Sequence, residues 1–377
     1  MINFKNNFKP DLSTFKDKKI LKVRTLSPIH ISNGEEYANL DYFIKDGMAN
    51  IINLDEVFRN MDENMIETFT KLIKNNMNNN RMEMTVEELY YSVGIDLSNE
   101  KFILKKVNCK IRPNARVKVK QFINQKNKFY IPGSSIKGAI RTAYIFDYYD
   151  KNINELVDIL EDKGILPNKK GSEVVKRCIG NIQEDFFKNL LITDSNFIDE
   201  NNFEFIECRR YNTYEFRKNK NSRKIWGNPE YNESLKKNVE FSVELTIKEG
   251  FPKDIKGIKN MCNKLMKTVI DYELNHKYIP ENLKKYYNNI KNNINKNNNT
   301  FYLSIGSGSG FLSKTIYLLL WKHKKDINLI KKFLPTKKNK REKKFQKVEN
   351  YLDFPRTRVI YEGNKIYLPM GWIELSY

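Results

Sequence analysis

The sequence predicts an α+β protein made of two successive domains, each with mixed strands and helices. Residues that alternate between polar and apolar, as in half-buried strands, recur on both sides of residue 200. Apolar stripes with helical spacing lie between these stretches. The chain has 377 residues and a hydrophobic content of 40%, which is adequate for two cores. We therefore expect one domain at residues 1–200 and another at 201–377.

The first predicted domain begins with a strand at residues 19–26, which Ser27 and Pro28 end, and a loop over 29–34 follows. A long helix is predicted from about Asn53 by an apolar stripe. The stripe consists of Leu54, Val57, Phe58, Met61, Met65, Phe69, Leu72 and Ile73. The remaining elements of this half are a short helix with a capping box at Thr85 and Glu88, strands at 101–109 and 115–123, a helix that ends near Tyr149, and a strand at 189–194.

The pattern restarts after residue 200. Its predicted elements are strands at 203–210 and 239–248, a helix at 255–277, a strand at 301–305, a helix at 311–321, and strands near 357–361 and 365–375. The helix at 255–277 has a predicted inward face of Ile258, Met261, Cys262, Leu265, Met266, Val269 and Ile270. Two Asn-rich stretches, 216–238 and 279–300, are interpreted as polar, mobile insertions.

The charge of the chain favours a polyanionic partner. Lys and Arg total 67 against 46 Asp and Glu, which gives a formal net charge of +21. Nucleic acid is a better candidate than a membrane for such an excess. No window approaches the roughly 18 consecutive apolar residues of a membrane span, and the N-terminus lacks an apolar signal core. We therefore expect a soluble, cytoplasmic protein without a membrane partner.

The residue types of most metal and catalytic centres are scarce. The four cysteines form no C-x-x-C pair and only three histidines are present, so neither a zinc site nor a disulfide framework is predicted. Paired acids typical of a metal nuclease are not visible either. We expect no metal, no cofactor and no enzymatic activity, because phosphate-holding parts are present and bond-breaking parts are not.

The most informative stretch is 131–141, where a Pro-Gly turn leads into a helix. Backbone amides and the positive end of the helix dipole make such a start an anion site. Ser134 or Ser135 is predicted to cap the helix, and Lys137 and Arg141 share one face. Two cations beside free amides suit a phosphodiester. A capped helix with two solvated cations is the alternative.

A second candidate phosphate loop follows the predicted strand at 301–305. Gly306, Gly308 and Gly310 allow backbone amides to approach phosphate, and Lys314 lies on the helix that follows. The spacing nearly matches the phosphate loop of nucleotide triphosphatases, but Ser313 stands where the second glycine belongs. Asp194, the candidate magnesium partner of such an enzyme, precedes the loop, which is the reverse of the usual order. A purely structural glycine turn is the other alternative.

His30 is the one histidine with interesting neighbours, namely Ser27, Ser32 and Glu35. It could serve a metal-independent ribonuclease as general base, and a hydrogen-bonded structural histidine is the alternative. A basic run at 331–348 either contacts backbone phosphate or forms a plain charged surface.

Four places in the chain together carry a family resemblance. They are residues 25–34, 131–141, 306–311, and 355–358 with 369–372. In this order they resemble the RAMP superfamily of CRISPR proteins. The similarity is greatest to the subunit of type III-A (Csm) effector complexes that caps the 3′ end of the CRISPR RNA.

The resemblance implies two ferredoxin-like (RRM-like) RAMP domains with glycine-rich loops and polar insertions, and no intrinsic nuclease. It also implies a role in CRISPR RNA maturation for antiviral defence. Implied partners are CRISPR RNA, other Csm subunits, especially the repeated backbone subunit, and a host trimming ribonuclease. The expected RNA-binding residues are Ser134, Ser135, Lys137, Arg141, Gly306, Gly308, Gly310, Lys314, Arg356, Arg358 and His30. A CRISPR RNA endoribonuclease that uses His30 is the alternative function.

Overall fold

The computed structural model describes residues 15–77, 84–111, 117–294, 296, 299–323, 355–363 and 366–377. Its strands are β1 (Phe15–Thr25), β2 (Ser32–Tyr37), β3 (Tyr42–Lys45), β4 (Met48–Ile52), β5 (Ile103–Cys109), β6 (Val119–Phe122), β7 (Asn124–Gln125), β8 (Lys128–Phe129), β9 (Leu190–Ile192), β10 (Phe203–Asn212), β11 (Glu230–Leu235), β12 (Glu240–Lys248), β13 (Thr300–Ser304), β14 (Thr357–Gly363), β15 (Ile366–Pro369) and β16 (Trp372–Ser376). The basic run at 331–348 lies outside the described residues.

Helices separate these strands. They are α1 (Leu54–Arg59), α2 (Glu63–Met77), α3 (Val86–Tyr91), α4 (Gly133–Lys151), α5 (Ile153–Glu161), α6 (Lys170–Ile179), α7 (Thr213–Lys218), α8 (Ile255–Asn275), α9 (Glu281–Ile294), α10 (Phe311–Lys314) and α11 (Leu318–Lys322). Short 3₁₀ turns lie at Glu100–Phe102, Pro167–Lys169, Phe186–Asn189, Glu200–Asn202 and Arg223–Ile225. In the described part of the chain, no helix combines the length and apolar content that crossing a membrane requires.

The first sheet is antiparallel and has the strand order β13-β16-β1-β12-β9. Within it, the order β16-β1-β12-β9 belongs to a β-α-β-β-α-β unit, in which α4 precedes β9 and α8 follows β12. Both helices pack against each other and against this sheet. The predicted inward face of α8 is buried, from Ile258 to Ile270. This arrangement is the ferredoxin-like pattern of an α+β protein.

The second sheet has the order β2-β6-β11-β10-β5-β4-β3, and β14 and β15 extend it. It is mixed, because β5 pairs in parallel with β10 and β6 pairs in parallel with β11. β14 pairs with the second half of β10, next to β5. The sheet thereby brings the region around residue 357 beside the end of β10, where α7 begins.

Strand pairing crosses residue 200 in both sheets. The first sheet joins β1 and β9 to β12, β13 and β16, and the second joins β5 and β6 to β10 and β11. One large hydrophobic cluster also contains side chains from both halves, from Leu21 to Leu375. The division into residues 1–200 and 201–377 stays a prediction, and the sheets themselves combine the two segments.

Two predicted helices are interrupted. The apolar stripe after Asn53 belongs to α1 and α2, which break at residues 60–62 because the Asp62 side chain accepts a hydrogen bond from the Met65 N–H and begins a new helix. The helix predicted at 311–321 is divided into α10 and α11, since Thr315 is extended. Periodicity continues across both breaks, so apolar spacing alone did not reveal them.

In their described residues, both stretches interpreted as mobile insertions contain packed secondary structure, and the interpretation was wrong for these elements. Residues 279–300 contain α9, whose Leu283, Tyr287, Ile290 and Ile294 are buried at helical spacing among Asn and Lys. Residues 216–238 contain β11, an interior strand of the second sheet. Its residues 232–234 are polar yet buried, so hydrophobicity gave no signal for it.

A buried ion pair joins β5 to β11. The Lys105 Nζ lies 2.7 Å from Glu233 Oε1, with side-chain exposures of 4% and 0%. Glu233 Oε2 also accepts a hydrogen bond of 3.0 Å from the Phe122 N–H of β6. One carboxylate therefore ties three strands together inside the molecule.

We expect Glu233→Gln to lower the free energy of unfolding by about 3–5 kcal/mol, because it leaves the Lys105 ammonium buried without its counter-charge. Chemical denaturation measured by circular dichroism provides the test. The matched control is Glu67→Gln, since Glu67 pairs with Lys71 at 2.7 Å while 66% exposed. That exposed pair contributes only about 0–1 kcal/mol. Equal effects of the two substitutions would contradict the assignment of a central role to Glu233.

Candidate nucleic-acid interface

Three loops that are distant in sequence interlock at one end of the first sheet. They are the β1 loop (residues 26–31), the glycine loop (residues 305–310) and the turn at 370–371 between β15 and β16. The Gly371 N–H donates to the Pro28 carbonyl and the Ile305 N–H donates to the Gly371 carbonyl, both at 2.8 Å. The Ser307 N–H donates to the His30 carbonyl at 2.7 Å. Backbone hydrogen bonds thus set the path of the glycine loop.

Gly306 is required at its position for two independent reasons. Its φ of +73° lies in the left-handed region that side chains rarely adopt, and a Cβ would stand 2.4 Å from the His30 carbonyl oxygen. Gly310 has a φ of +87° but open space around the Cβ position. The glycines therefore differ in role, with Gly306 packed inward and Gly310 exposed.

The lysine after the glycine loop binds the loop itself. Lys314 Nζ donates a hydrogen bond of 2.6 Å to the Gly306 carbonyl, and burial lowers its pKa from the usual value. The Ser313 hydroxyl donates to the Ser309 carbonyl at 2.7 Å. Asp194, the candidate magnesium partner, instead accepts a hydrogen bond from Gly133. No observation here favours a nucleotide triphosphatase.

The start of α4 differs from the prediction. The N-cap is Pro132, and neither Ser134 nor Ser135 caps the helix, because both lie inside its first turn. The Gly133 N–H donates to Asp194 Oδ1 at 2.8 Å. A carboxylate of the protein therefore occupies one of the backbone amides that were predicted to bind phosphate. Ser134 remains exposed and Ser135 is half-buried.

The two cations of α4 share a face, as their spacing predicts. Arg141 Nη1 lies 2.7 Å from Asp185 Oδ2, and its guanidinium lies 5.3 Å from the centre of the Phe187 ring. Lys137 is half-exposed, and burial lowers its pKa while Asp185 acts in the opposite direction. Lys137 is thus positioned on the surface, while Arg141 has an internal partner.

His30 is buried, with an exposure of 0%. Its Nδ1 lies 2.7 Å from the Glu233 carbonyl oxygen, and its Nε2 has no hydrogen-bond partner among the described residues. Burial lowers its pKa to about 4. A general base must reach the hydroxyl proton that it removes, and a side chain that binds RNA must be accessible from solvent. The side chain of His30 meets neither condition in this conformation, whereas its carbonyl oxygen supports the glycine loop.

The segment 355–358, here named the PRTR segment, holds two arginines with different surroundings. Arg358 is 8% exposed, and its Nε lies 3.2 Å from both carboxylate oxygens of Glu273. Arg356 is half-buried, with its guanidinium carbon 4.6 Å from the centre of the Tyr214 ring. Arg358 therefore has a structural ion pair, and only Arg356 of the two lies near the surface.

The structure brings most of the sequence motifs to one region. Residues 308–312, Pro355 and residues 357–360 line the same small cavity of about 30 Å³. The helix α10, which follows the glycine loop, packs against α4. In the ranges that the structure describes, no group of three or more His, Cys, Asp or Glu side chains could hold a metal ion.

Sequence reasoning missed Glu233 and Tyr214. Glu233 lies in the polar stretch 216–238, and no sequence pattern marks a buried carboxylate there. Tyr214 is one of 21 tyrosines, and only the pairing of β10 with β14 places it beside Arg356. Neither residue has a local signal.

Comparison with known sequences shows extensive similarity. The family model of the RAMP superfamily matches residues 22–354. The CRISPR system Cms protein Csm5 of Methanocaldococcus jannaschii is 38% identical over 382 residues, which covers 94% of this chain and 88% of that protein. The protein of the same name from Streptococcus thermophilus is 26% identical over 268 residues, or 64% of this chain and 67% of its own length.

Solved structures share the fold. A chain in the cryo-EM structure of a Csm–crRNA–target RNA ternary complex from a type III-A CRISPR-Cas system aligns with a TM-score of 0.68 at 19% identity, covering 94% of this chain and 99% of its own length. The crystal structure of T. onnurineus Csm5 aligns with a TM-score of 0.62 at 16% identity, covering 93% and 99%. The predicted α+β class with ferredoxin-like RAMP domains is confirmed.

We expect Gly306→Ala to destabilise the protein by more than about 2 kcal/mol, since a backbone clash adds to the ~1–2 kcal/mol cost of a left-handed residue. We expect Gly310→Ala to be less destabilising, because it incurs the cost of a left-handed φ without a clash. Gly138→Ala, an exposed helical position with open space, is the control. Thermal and urea unfolding of the three variants measure the differences, and the prediction is wrong if Gly306→Ala and Gly310→Ala are equally stable.

His30 should make stability depend on pH. Its pKa is about 4 in the folded protein against 6.5 when unfolded, so the unfolded chain binds the proton between these values. The unfolding free energy that His30 contributes therefore falls as the pH is lowered from about 6.5 to about 4, by about 3 kcal/mol. The stability difference between wild type and His30→Gln, measured from pH 7 to pH 4, should shrink by that amount. A difference that stays constant with pH would contradict it.

Proposed function

Because the chain belongs to the RAMP superfamily, we propose that it is a non-catalytic CRISPR RNA-binding subunit of a type III-A (Csm) interference complex. It caps the 3′ end of the CRISPR RNA and aids its maturation. The observation that carries the proposal is the convergence of the family motifs, since the β1 loop, the glycine loop and the PRTR segment meet at one place. Similarity to Csm5 over 94% of the chain supports the type of complex.

The RNA backbone is held by groups on the outer side of this region. Ser134, Lys137 and Gly310 are exposed or half-exposed at helix starts that suit phosphate oxygens. Arg141 joins them by exchanging Asp185 for a phosphate, and Lys314 by exchanging the Gly306 carbonyl. Four further predicted contacts are half-buried, namely Ser135, Gly306, Gly308 and Arg356.

His30 and Arg358 take supporting roles in this proposal. Both side chains are buried, and they hold the β1 loop and the PRTR segment in place. Contacts to phosphates do not distinguish between bases, so the proposed RNA binding is independent of the RNA sequence. This property suits a CRISPR RNA, whose spacer sequence varies from one guide to the next.

The proposed partners follow from the similar proteins. The matched solved complex contains crRNA and target RNA with Csm subunits. For this chain we propose CRISPR RNA and neighbouring Csm subunits, above all the repeated backbone subunit, with a host trimming ribonuclease as a further partner. Copurification of the tagged chain from its native host, followed by RNA sequencing, tests this assembly.

Removal of charge from α4 should weaken RNA binding in a salt-dependent way. For Lys137→Gln/Arg141→Gln we expect lower affinity for a single-stranded RNA and a salt slope smaller by about 1.4, because each lost phosphate contact contributes about 0.7. Filter binding at several salt concentrations measures the slope. The double variant Arg59→Gln/Lys71→Gln removes two exposed cations from α1 and α2 and should leave the slope nearly unchanged. Equal slopes in both variants would refute the placement.

The non-catalytic assignment predicts that the purified chain does not cleave CRISPR repeat RNA, with or without a chelator. The RNA is analysed on denaturing gels over several hours, with a known metal-independent CRISPR endoribonuclease as positive control. Specific cleavage that is lost in His30→Ala would instead establish the alternative function. Cleavage that survives this substitution would contradict both.

A further inference from the structure

A tyrosine surrounded by cations lies beside the PRTR segment, on a helix that no motif covers. The centre of the Tyr214 ring has Lys218 Nζ at 4.3 Å, the Arg356 guanidinium carbon at 4.6 Å and the Arg217 guanidinium carbon at 5.3 Å. Tyr214 is half-buried and Lys218 is exposed. Three positive side chains from two separate segments therefore lie around the ring of Tyr214.

The backbone holds this tyrosine in place. The Asn212 side chain accepts hydrogen bonds from the Tyr214 and Glu215 N–H groups at 3.1 and 3.2 Å, and so begins α7. The Thr213 N–H and hydroxyl donate to the Arg356 carbonyl at 2.9 and 3.1 Å. The position of the ring is thus fixed by β10 and by the PRTR segment, as a preorganised binding surface requires.

The charges around the ring favour an anion. All three cations lie within 5.3 Å of one ring centre, so positive charge is concentrated around the ring. The sequence 217–224 adds Lys220, Arg223 and Lys224 without an acidic residue.

Tyr214 is connected to the glycine loop through buried residues. Arg358, two residues from Arg356, contacts the Thr213 hydroxyl at 3.5 Å and lines the cavity that residues 308–312 also line. Thr213 and Arg358 therefore link the start of α7 to the residues that pack beside the glycine loop. Aromatic faces with a basic rim are the usual platform for unpaired bases.

We propose that Tyr214 is a base-stacking site for single-stranded RNA, with Arg217, Lys218 and Arg356 binding the flanking phosphates. The exposed Lys218 leaves the ring for a phosphate when a base takes its place. This inference rests on the proposed RNA-binding function and adds to it the residue that contacts a base. Stacking accepts any base, so the site agrees with a grip that is independent of sequence.

The test separates stacking from charge by using two polyanions. Binding of the full-length chain to a single-stranded RNA oligonucleotide and to inorganic polyphosphate, which has no bases, is measured by competition against a fluorescent RNA. We expect Tyr214→Ala and Tyr214→Leu to lose about 5- to 100-fold in RNA affinity. Neither should change polyphosphate affinity, and Tyr214→Phe should retain both affinities because it keeps the ring. Arg356→Gln should weaken both ligands.

Tyr91→Ala is the matched control, since Tyr91 is 71% exposed on α3, far in sequence from every motif. It should change neither affinity, and melting temperatures verify that each variant is folded. The inference is overturned if wild type binds RNA but Tyr214→Ala and Tyr214→Leu bind it equally well, or if both ligands weaken in parallel. A wild type that binds neither ligand would overturn the proposed function itself, so the two failures are distinguishable.

Discussion

The buried carboxylate of Glu233 is the interaction on which the candidate interface depends. It accepts from Lys105 of β5 and from the backbone of Phe122 in β6, while its own carbonyl oxygen accepts from His30. The His30 carbonyl in turn receives the Ser307 N–H of the glycine loop. A buried ion pair is a weak source of net stability compared with apolar packing, but the loss of one partner is costly. The Glu233 side chain joins β5, β6 and β11, and the backbone carbonyl of the same residue holds the β1 loop against this sheet.

Three of the groups that the sequence indicates for phosphate binding already form hydrogen bonds within the protein. Asp194 accepts a hydrogen bond from the Gly133 N–H at the start of α4, and Asp185 accepts one from Arg141. The Gly306 carbonyl accepts one from Lys314. Such internal acceptors keep the cations and amides ordered before a ligand arrives. In the proposed function, an RNA phosphate would replace an existing contact, so the net gain in binding free energy would be the difference between two charge-assisted hydrogen bonds. This exchange lowers affinity at each contact and makes many weak contacts necessary.

The two buried histidines show that burial keeps an imidazole neutral near pH 7. Burial lowers the pKa of His30 to about 4 and that of His276 to about 3, so both are neutral near pH 7. Each also has an Nε2 without a partner in the described part of the chain. A neutral, enclosed imidazole suits hydrogen bonding to the backbone, which is the role that His30 has beside Glu233.

The sequence by itself determined many of the local elements and the family. Alternation indicated β1, helical spacing indicated α8, and the capping box at Thr85 and Glu88 is present in the structure, because these signals arise from neighbours in the chain. The four motif regions together carried the resemblance to the RAMP superfamily, which the comparisons confirm. The buried stripe of α9 was also present in the sequence, but its Asn and Lys neighbours concealed it.

Only the tertiary structure decided which groups reach solvent and which strands pair. Sheet pairing across residue 200, the burial of His30 and Arg358, and the cations around Tyr214 each depend on contacts between distant segments. Sequence periodicity reports a residue's own helix or strand, whereas burial and charge pairing depend on what packs against it. For that reason the sequence was sufficient to identify the motifs, but not to show which of their side chains are buried or paired.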